Sequence, residues 1–120
     1  MKTLNNFAVG DVVQVSLDPT MGSEIKKSRP CLIVVSESPL DIVTVLPITN
    51  DNGKSVSPFF APISASKEYG LVKNSLIDCL QIRSVALDRV VKVLGRVDDN
   101  TMIDVKQRLV KMLDIGEEHL

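Results

Sequence analysis

The sequence is poor in the residues that enzymes most often use for catalysis. Its 120 residues contain no tryptophan, two cysteines and one histidine, His119, beside the C-terminal residue. One histidine excludes a His-pair acid/base site and gives the serines no triad partner. It also leaves little for a zinc centre, and no Gly-rich loop followed by Lys-Ser or Lys-Thr offers a phosphate cradle. We therefore expect neither a metal nor a cofactor.

The sequence also has no large excess of positive or negative charge and no long apolar run. Fourteen basic and 15 acidic residues give a net charge of −1, so any contact with nucleic acid must come from a local patch. No apolar run approaches the roughly 20 residues of a membrane helix. The start, "MKTLNNFAVGD", lacks the pattern of a signal peptide. These absences predict a soluble, cytoplasmic protein without a membrane partner.

What the chain does contain is enough apolar material for one core. Hydrophobic residues make up 44% of the sequence, and the length suits a single domain over residues 1–120. Cys31 and Cys79 each lie inside an apolar run, without the paired spacing of a zinc site or a disulfide framework. We expect both to be buried thiols.

Short strands dominate the pattern. "DVVQVSLD" alternates with period two, "RPCLIVVS" and "DIVTVLPIT" are apolar runs typical of buried strands, and "VSPFFAPI" follows the turn formers "NDNGKS". "NSLIDCLQIR" alternates again, and the β-branched residues of "RVVKVLGRV" favour a strand that ends near Val97. The pattern indicates an antiparallel meander.

One helix closes the chain. Apolar residues recur at helical spacing over about residues 101–115, and Thr101 followed by Asp104 resembles a capping box. Many short strands with one final helix predict a small, strongly bent β-barrel or sandwich capped by that helix.

The stretch "DPTMGSEIKKSRP", residues 18–30, is too long for an ordinary strand connection, which suggests a functional role. Arg29 in it stands directly before Pro30 and an apolar strand, where a long charged side chain must fold along the surface or find an anion. The residues alone define an anion-friendly edge, with Thr49, Gln81 and Arg83 at other strand ends.

The order of motifs resembles the MazF/PemK family of toxin endoribonucleases. In that family a strand, Asp-Pro, Gly-Ser-Glu and Arg-Pro follow one another near this spacing, and "VLPIT", "YGL", "SLIDCLQIRSV" and "LGRVDD" also match. The resemblance implies a small SH3-like β-barrel, MazF/CcdB-like, with helices and usually a homodimer. It further implies metal-independent cleavage of single-stranded RNA at a short sequence, and a cognate antitoxin that occupies the same groove.

The resemblance also assigns roles to residues. Arg29 corresponds to the family's active-site arginine and Thr49 to a threonine that contacts phosphate. Ser23 and Glu24 fall in the loop that covers RNA, and Gln81 lies beside the groove. Of the loop residues, Glu24 is the nearest candidate base. Lys26 and Lys27 would add local positive charge.

Two departures from the family pattern affect the mechanism. Ser23 stands where some members have a histidine, and Leu80 stands where many have an acidic residue, so no carboxylate at position 80 can take part. Two alternatives therefore stay open. One is a non-enzymatic, CcdB-like poison of DNA gyrase, and the other is a degenerate toxin or SH3-like interaction module that only binds its antitoxin.

Overall fold

The computed structural model describes residues 7–17, 28–37, 40–51 and 57–116. Within these ranges the chain forms seven strands and one α-helix. The strands are β1 (Asp11–Ser16), β2 (Ser28–Val35), β3 (Ile42–Asn50), β4 (Phe60–Ile63), β5 (Ser75–Asp78), β6 (Arg83–Ala86) and β7 (Val90–Arg96), and the helix is α1 (Asp99–Met112). The turn expected around Pro39, most of "NDNGKS" and the tail with His119 lie outside the described residues.

The strands pair antiparallel in the order β4-β5-β3-β2-β1-β7. The nine residues of β3 let it bind two partners on one edge, β6 along its first half and β5 along its second. Strands β4 and β7 end this order, so the sheet of the described residues is open. The prediction of a mainly β protein with a C-terminal helix is confirmed, whereas closure into a barrel is not observed in this part of the chain.

Apolar side chains cover both faces of the sheet. On the face under α1, one cluster draws on five strands and the helix, with Val12, Leu32, Leu46, Ile77 and Val105 fully buried. On the opposite face a second cluster contains Val13, Val15, Cys31, Ile33 and Val45. Successive residues of β1 and β2 alternate between the two clusters, which explains why "CLIVV" is a continuous apolar run. Both cysteines are free and buried, as predicted.

The stretch 74–83 is interrupted, contrary to the single strand that its alternation predicts. Strand β5 ends at Asp78, a 3-10 helix covers Cys79–Gln81, and β6 restarts at Arg83. The Asp78 side chain caps this 3-10 helix by accepting a hydrogen bond from the Leu80 N–H at 3.0 Å. A local side-chain cap therefore overrides the period-two pattern.

Helix α1 begins earlier than expected. Its N-cap is Asp98, whose carboxylate accepts a hydrogen bond from the Thr101 N–H at 2.8 Å, so the predicted capping box of Thr101 and Asp104 is wrong. Asp104 instead forms an ion pair with Arg108 one turn later, at 3.0 Å. Among the described residues, no helix has the length and apolar character needed to cross a membrane.

The cap makes helix stability depend on pH. Hydrogen bonds from Thr101, and a further one from Tyr69, hold the pKa of Asp98 below its ordinary value of 3.8. A lowered folded-state pKa stabilises the protein above the ordinary value, and this contribution is lost as pH falls through the folded-state pKa. The variant Asp98→Asn keeps a cap that does not titrate. As pH falls from about 5 to about 2, we expect the Tm of wild type to fall further than the Tm of this variant. A Tm difference that stays constant over that range would contradict the assignment.

Two glycines allow a turn to pack directly against β7. A Cβ on Gly95 would lie 2.3 Å from the Glu68 carbonyl oxygen, and a Cβ on Gly70 would lie 2.3 Å from the Leu94 carbonyl oxygen. The Arg96 N–H also donates to the Glu68 carbonyl oxygen at 2.8 Å. This backbone contact holds the segment 66–73 in place at one end of the sheet.

Candidate active site

The antiparallel pairing of β2 and β3 brings Arg29 and Thr49 together. Arg29 is the second residue of β2, and Thr49 is the penultimate residue of β3. Cys31 pairs with Pro47, and the same register carried two residues further sets Arg29 opposite Thr49. Directly opposed residues have Cα atoms about 5 Å apart. Two residues that lie 20 positions apart in sequence therefore meet at one end of the sheet.

A cavity of about 190 Å³ occupies this end of the sheet. Its walls come from β2, β3, the start of β5 and the segment held against Gly95. The lining includes Arg29, Thr49, Asn50, Val72, Lys73 and Ser75. A second hollow of about 390 Å³ shares Ser75 with it and continues along β4 and β5 past Asp51 and Asn74. Two cationic residues, two hydroxyl residues and an amide residue thus line one space.

One donor of the Arg29 guanidinium has no partner among the residues that the structure describes. In the described part of the chain, its Nε is the only buried side-chain nitrogen or oxygen without a hydrogen bond. A buried N–H of a charged group left unpaired is costly, and native structures contain few of them. The planar fork of a guanidinium fits phosphate oxygens with two parallel hydrogen bonds. Because Arg29 also lines the cavity, its guanidinium can bind an anion there.

A second arginine reinforces the positive charge on this face of the sheet. Burial raises the pKa of Cys31 to about 12, and the positive charges of Arg29 and Arg83 act in the opposite direction. Arg83 pairs across from Val45, on the face that also carries Cys31. Because the thiol stays protonated, Cys31 does not act as a nucleophile. Burial likewise raises the pKa of Cys79 to about 11.

Gln81 ends the 3-10 helix that connects β5 with β6. Its side-chain Nε2 donates to the Asp78 carboxylate at 3.0 Å, so the carboxamide is tied to the strand that pairs with the end of β3. The sequence pattern gives no indication of this contact, because a continuous strand would place residues 78 and 81 on opposite faces.

Four of the predicted site residues cannot be compared with the structure. Ser23, Glu24, Lys26 and Lys27 lie outside the described residues. Arg29 and Thr49 share the cavity, and Gln81 lies near the opposite edge of β3. Within the described ranges, no three His, Cys, Asp or Glu side chains come together in a group that could hold a metal ion.

Lys73 is the site residue that the sequence analysis missed. It is exposed and lines the cavity together with Arg29, although 44 positions separate them. Its only local signal is the motif "YGL" just before it, whose glycine permits the close approach to β7. Nothing in residues 64–74 predicts that this segment folds back over the ends of β2 and β3.

Solved structures define the class of this fold. The chain superposes on the crystal structure of MazF from Deinococcus radiodurans with a TM-score of 0.73 at 19% identity, covering 89% of this chain and 96% of that one. It also superposes on an endoribonuclease in complex with its cognate antitoxin from a Mycobacterial species, with a TM-score of 0.69 at 18% identity, covering 94% and 98%. The fold is therefore that of the MazF-like toxins.

Sequence comparison then gives the family. A family profile described as the PemK-like, MazF-like toxin of type II toxin-antitoxin systems matches residues 8–113, and this chain belongs to that family. It is 32% identical to endoribonuclease MazF9 of Mycobacterium tuberculosis over 114 residues, 88% of this chain and 95% of the relative. It is 33% identical to endoribonuclease EndoA of Bacillus subtilis over 105 residues, 83% and 88%. The family predicted from the motifs is confirmed.

Proposed function

We propose that this toxin is a metal-independent endoribonuclease that cleaves single-stranded RNA at a short sequence and is inhibited by a cognate antitoxin. One observation supports the activity above all others. Arg29, whose buried Nε has no partner among the described residues, lines one cavity with Thr49 and Lys73, and its guanidinium can donate to the oxygens of a phosphodiester there. Named endoribonucleases among the relatives favour RNA over other phosphate esters.

The reaction needs no activated water, because RNA carries its own nucleophile. The 2′-oxygen attacks the adjacent phosphorus and gives its proton to a base. The bond from phosphorus to the 5′-oxygen then breaks, and that oxygen takes up a proton. The products are a 2′,3′-cyclic phosphate and a 5′-hydroxyl. Negative charge grows on the non-bridging oxygens in the transition state, so hydrogen-bond donors fixed at that position lower the barrier.

The described residues supply these donors. Arg29 places its guanidinium on the phosphate oxygens, and Thr49 donates a further hydrogen bond from its hydroxyl. A guanidinium stays protonated in proteins, so Arg29 acts through its charge, and a water or the phosphate's own proton serves the leaving oxygen. Glu24 is the proposed base. The proposed RNA contacts of the remaining residues are made by Ser23, Lys26, Lys27 and Gln81.

The assembly extends this proposal. We place the toxin in the cytoplasm as a homodimer, with its sheet completed as an SH3-like barrel in the manner that the family resemblance implies. A structural neighbour is an endoribonuclease in complex with its cognate antitoxin, which supports an antitoxin as the partner of this chain. An acidic antitoxin segment would meet the same cationic groups as RNA does, Arg29 and Lys73 among them.

The activity is tested by incubating the purified protein with a long RNA of mixed sequence in excess EDTA. We expect fragments with 2′,3′-cyclic phosphate ends, formed at the same rate with and without the chelator. Mapping the fragment ends then gives the cleavage sequence. Cleavage that stops in EDTA and returns with Mg²⁺ would contradict the metal-independent mechanism.

The same assay separates the alternative functions. Intact RNA together with inhibition of DNA gyrase would identify a CcdB-like poison. Intact RNA without gyrase inhibition, and expression that does not arrest growth, would identify a degenerate toxin that only binds its antitoxin. The placement of Arg29, Thr49 and Lys73 around one cavity, together with the endoribonucleases named among the relatives, favours the ribonuclease.

A further inference from the structure

Asp78 is the only charged residue that is buried in the described part of the chain. Its exposed fraction is 2%, and it is the last residue of β5. Moving a carboxylate out of water is costly unless hydrogen bonds or an opposite charge replace the water. A buried charge in so small a protein therefore needs a reason in the contacts that it makes.

Both carboxylate oxygens of Asp78 are used within the next three residues. Oδ1 accepts from the Leu80 N–H and Oδ2 from the Gln81 Nε2, each at 3.0 Å. The first bond caps the 3-10 helix. A cap alone uses one oxygen, and asparagine would serve it as well as aspartate. The second bond, from Gln81, is the reason that both oxygens of the side chain must be acceptors.

This second bond fixes the direction of the Gln81 carboxamide. A carboxylate only accepts hydrogen bonds, so the NH₂ group of Gln81 must face Asp78 and the carbonyl Oε1 must point away from it. Rotation by 180° would set two acceptors against each other. A carbonyl oxygen also has two acceptor positions, so a protein donor on one of them leaves the other for a ligand.

The pair lies beside the proposed reaction centre. Leu76 of β5 stands directly opposite Thr49. Asp78 follows two residues later on the same face of β5, about 7 Å from Leu76 along the strand. Phe60 is the cross-strand neighbour of Asp78 on β4. A nucleotide whose phosphate meets Arg29 and Thr49 would extend its neighbouring base toward this pair.

We propose that Asp78 is a positioning residue that holds Gln81 for the recognition of one RNA base beside the scissile phosphate. Because Oε1 is the end turned away from Asp78, the recognised group on the base is an N–H donor, such as an exocyclic amine or a ring N–H. The inference rests on the proposed ribonuclease activity. It predicts that Asp78 affects cleavage only through Gln81.

A double-mutant cycle tests this dependence. The single variants Asp78→Asn and Gln81→Ala and the double variant are assayed on an RNA oligonucleotide that contains the mapped cleavage site. The Asp78→Asn side chain would keep the cap but offer an NH₂ group to Gln81, whose carboxamide would then turn its carbonyl toward residue 78 and its NH₂ group toward the base. We therefore expect KM to rise about 10-fold with kcat within about 2-fold. The double variant should be no worse than Gln81→Ala alone. Mapped cleavage should lose its preference at one base position in all three variants.

Asp88→Asn is the matched control, since Asp88 is an exposed aspartate in the 3-10 helix Leu87–Arg89. Its cleavage should equal that of wild type. Should Asp78→Asn fail to fold, NMR of the wild type gives a second test, in which the Gln81 NH₂ group should contain one slowly exchanging proton. Rapid exchange of both protons would overturn the inference.

The outcomes separate the inference from the activity on which it rests. If the wild-type protein does not cleave RNA, both the proposed ribonuclease activity and the inference about Asp78 are wrong. If wild type cleaves and Asp78→Asn has an unchanged KM, or raises KM equally in the Gln81→Ala background, the ribonuclease stands and the role of Asp78 is only structural. An unaltered base preference in Gln81→Ala would also overturn the inference.

Discussion

Replacing Arg29 by alanine should slow RNA cleavage by about a hundred- to a thousand-fold, the usual effect of losing one donor that stabilises transition-state charge. The guanidinium Nε is buried and has no hydrogen-bond partner within the described ranges, so its removal also takes away a polar group left unpaired there. The Tm should therefore stay within about 3 °C of wild type or rise. Thermal melts and initial rates on the same preparation measure both effects.

Two further variants make the result specific. Arg96→Ala removes another strand arginine, whose exposed side chain pairs with Asp11 at 2.9 Å, and it should leave cleavage unchanged. Arg29→Lys keeps the charge but loses the planar fork, so its rate should fall between those of Arg29→Ala and wild type. Retention of more than about a tenth of wild-type activity in Arg29→Ala would remove Arg29 from the active site.

Prediction from sequence succeeds where one physical rule governs the segment. Strand β1 alternates because Val13 and Val15 meet the second cluster while Gln14 and Ser16 on the other face are only partly buried, and β2 is a continuous apolar run because both its faces are covered. Helix α1 shows the spacing of a single buried stripe, with Met102 and Val105 buried. The predicted start of the helix is wrong because Asp98 and Thr101 both have capping side chains, and only the backbone geometry selects Asp98.

The site is predicted less completely than the fold. Arg29 and Thr49 stand at strand ends that a simple antiparallel pairing brings together, so pattern and resemblance suffice to find them. Lys73 reaches the cavity only because the segment 66–73 packs on β7, a contact between residues about 25 positions apart. The alternation predicts an ordinary strand residue at Asp78, since the role of this side chain depends on the 3-10 helix that interrupts the strand. Sequence periodicity carries no information on either contact.

Gly95 shows how strongly the site depends on such a distant contact. Its backbone lies in an ordinary region, so space alone decides what can replace it. A methyl group there would meet three backbone atoms of residues 68–70 at 2.3 to 2.7 Å, and backbone cannot rotate away as a side chain can. We expect Gly95→Ala to cost roughly 3 kcal/mol and to lower Tm by about 10 °C.

The same substitution should also impair cleavage in the molecules that remain folded. The segment pushed away from β7 carries Leu71 and Lys73, which line the cavity with Arg29. A displacement of about 1 Å in a substrate-binding wall is enough to reduce the rate at least 10-fold. Activity is measured well below the lowered Tm, so that unfolding does not contribute to the loss.

Gly10→Ala is the control that separates crowding from backbone conformation. Gly10 has a φ of +98°, which alanine adopts at a cost of about 1 kcal/mol, but the atoms nearest to a Cβ there belong to the Arg96 side chain, at an ordinary contact distance of 3.5 Å. It should lower Tm by about 4 °C and leave the rate unchanged, because no wall of the cavity moves. If Gly95→Ala behaves like Gly10→Ala in both measurements, the contact with β7 does not position Lys73. A selective loss of activity in Gly95→Ala would establish that β7, which contributes no residue to the cavity lining, sets its shape through one backbone contact.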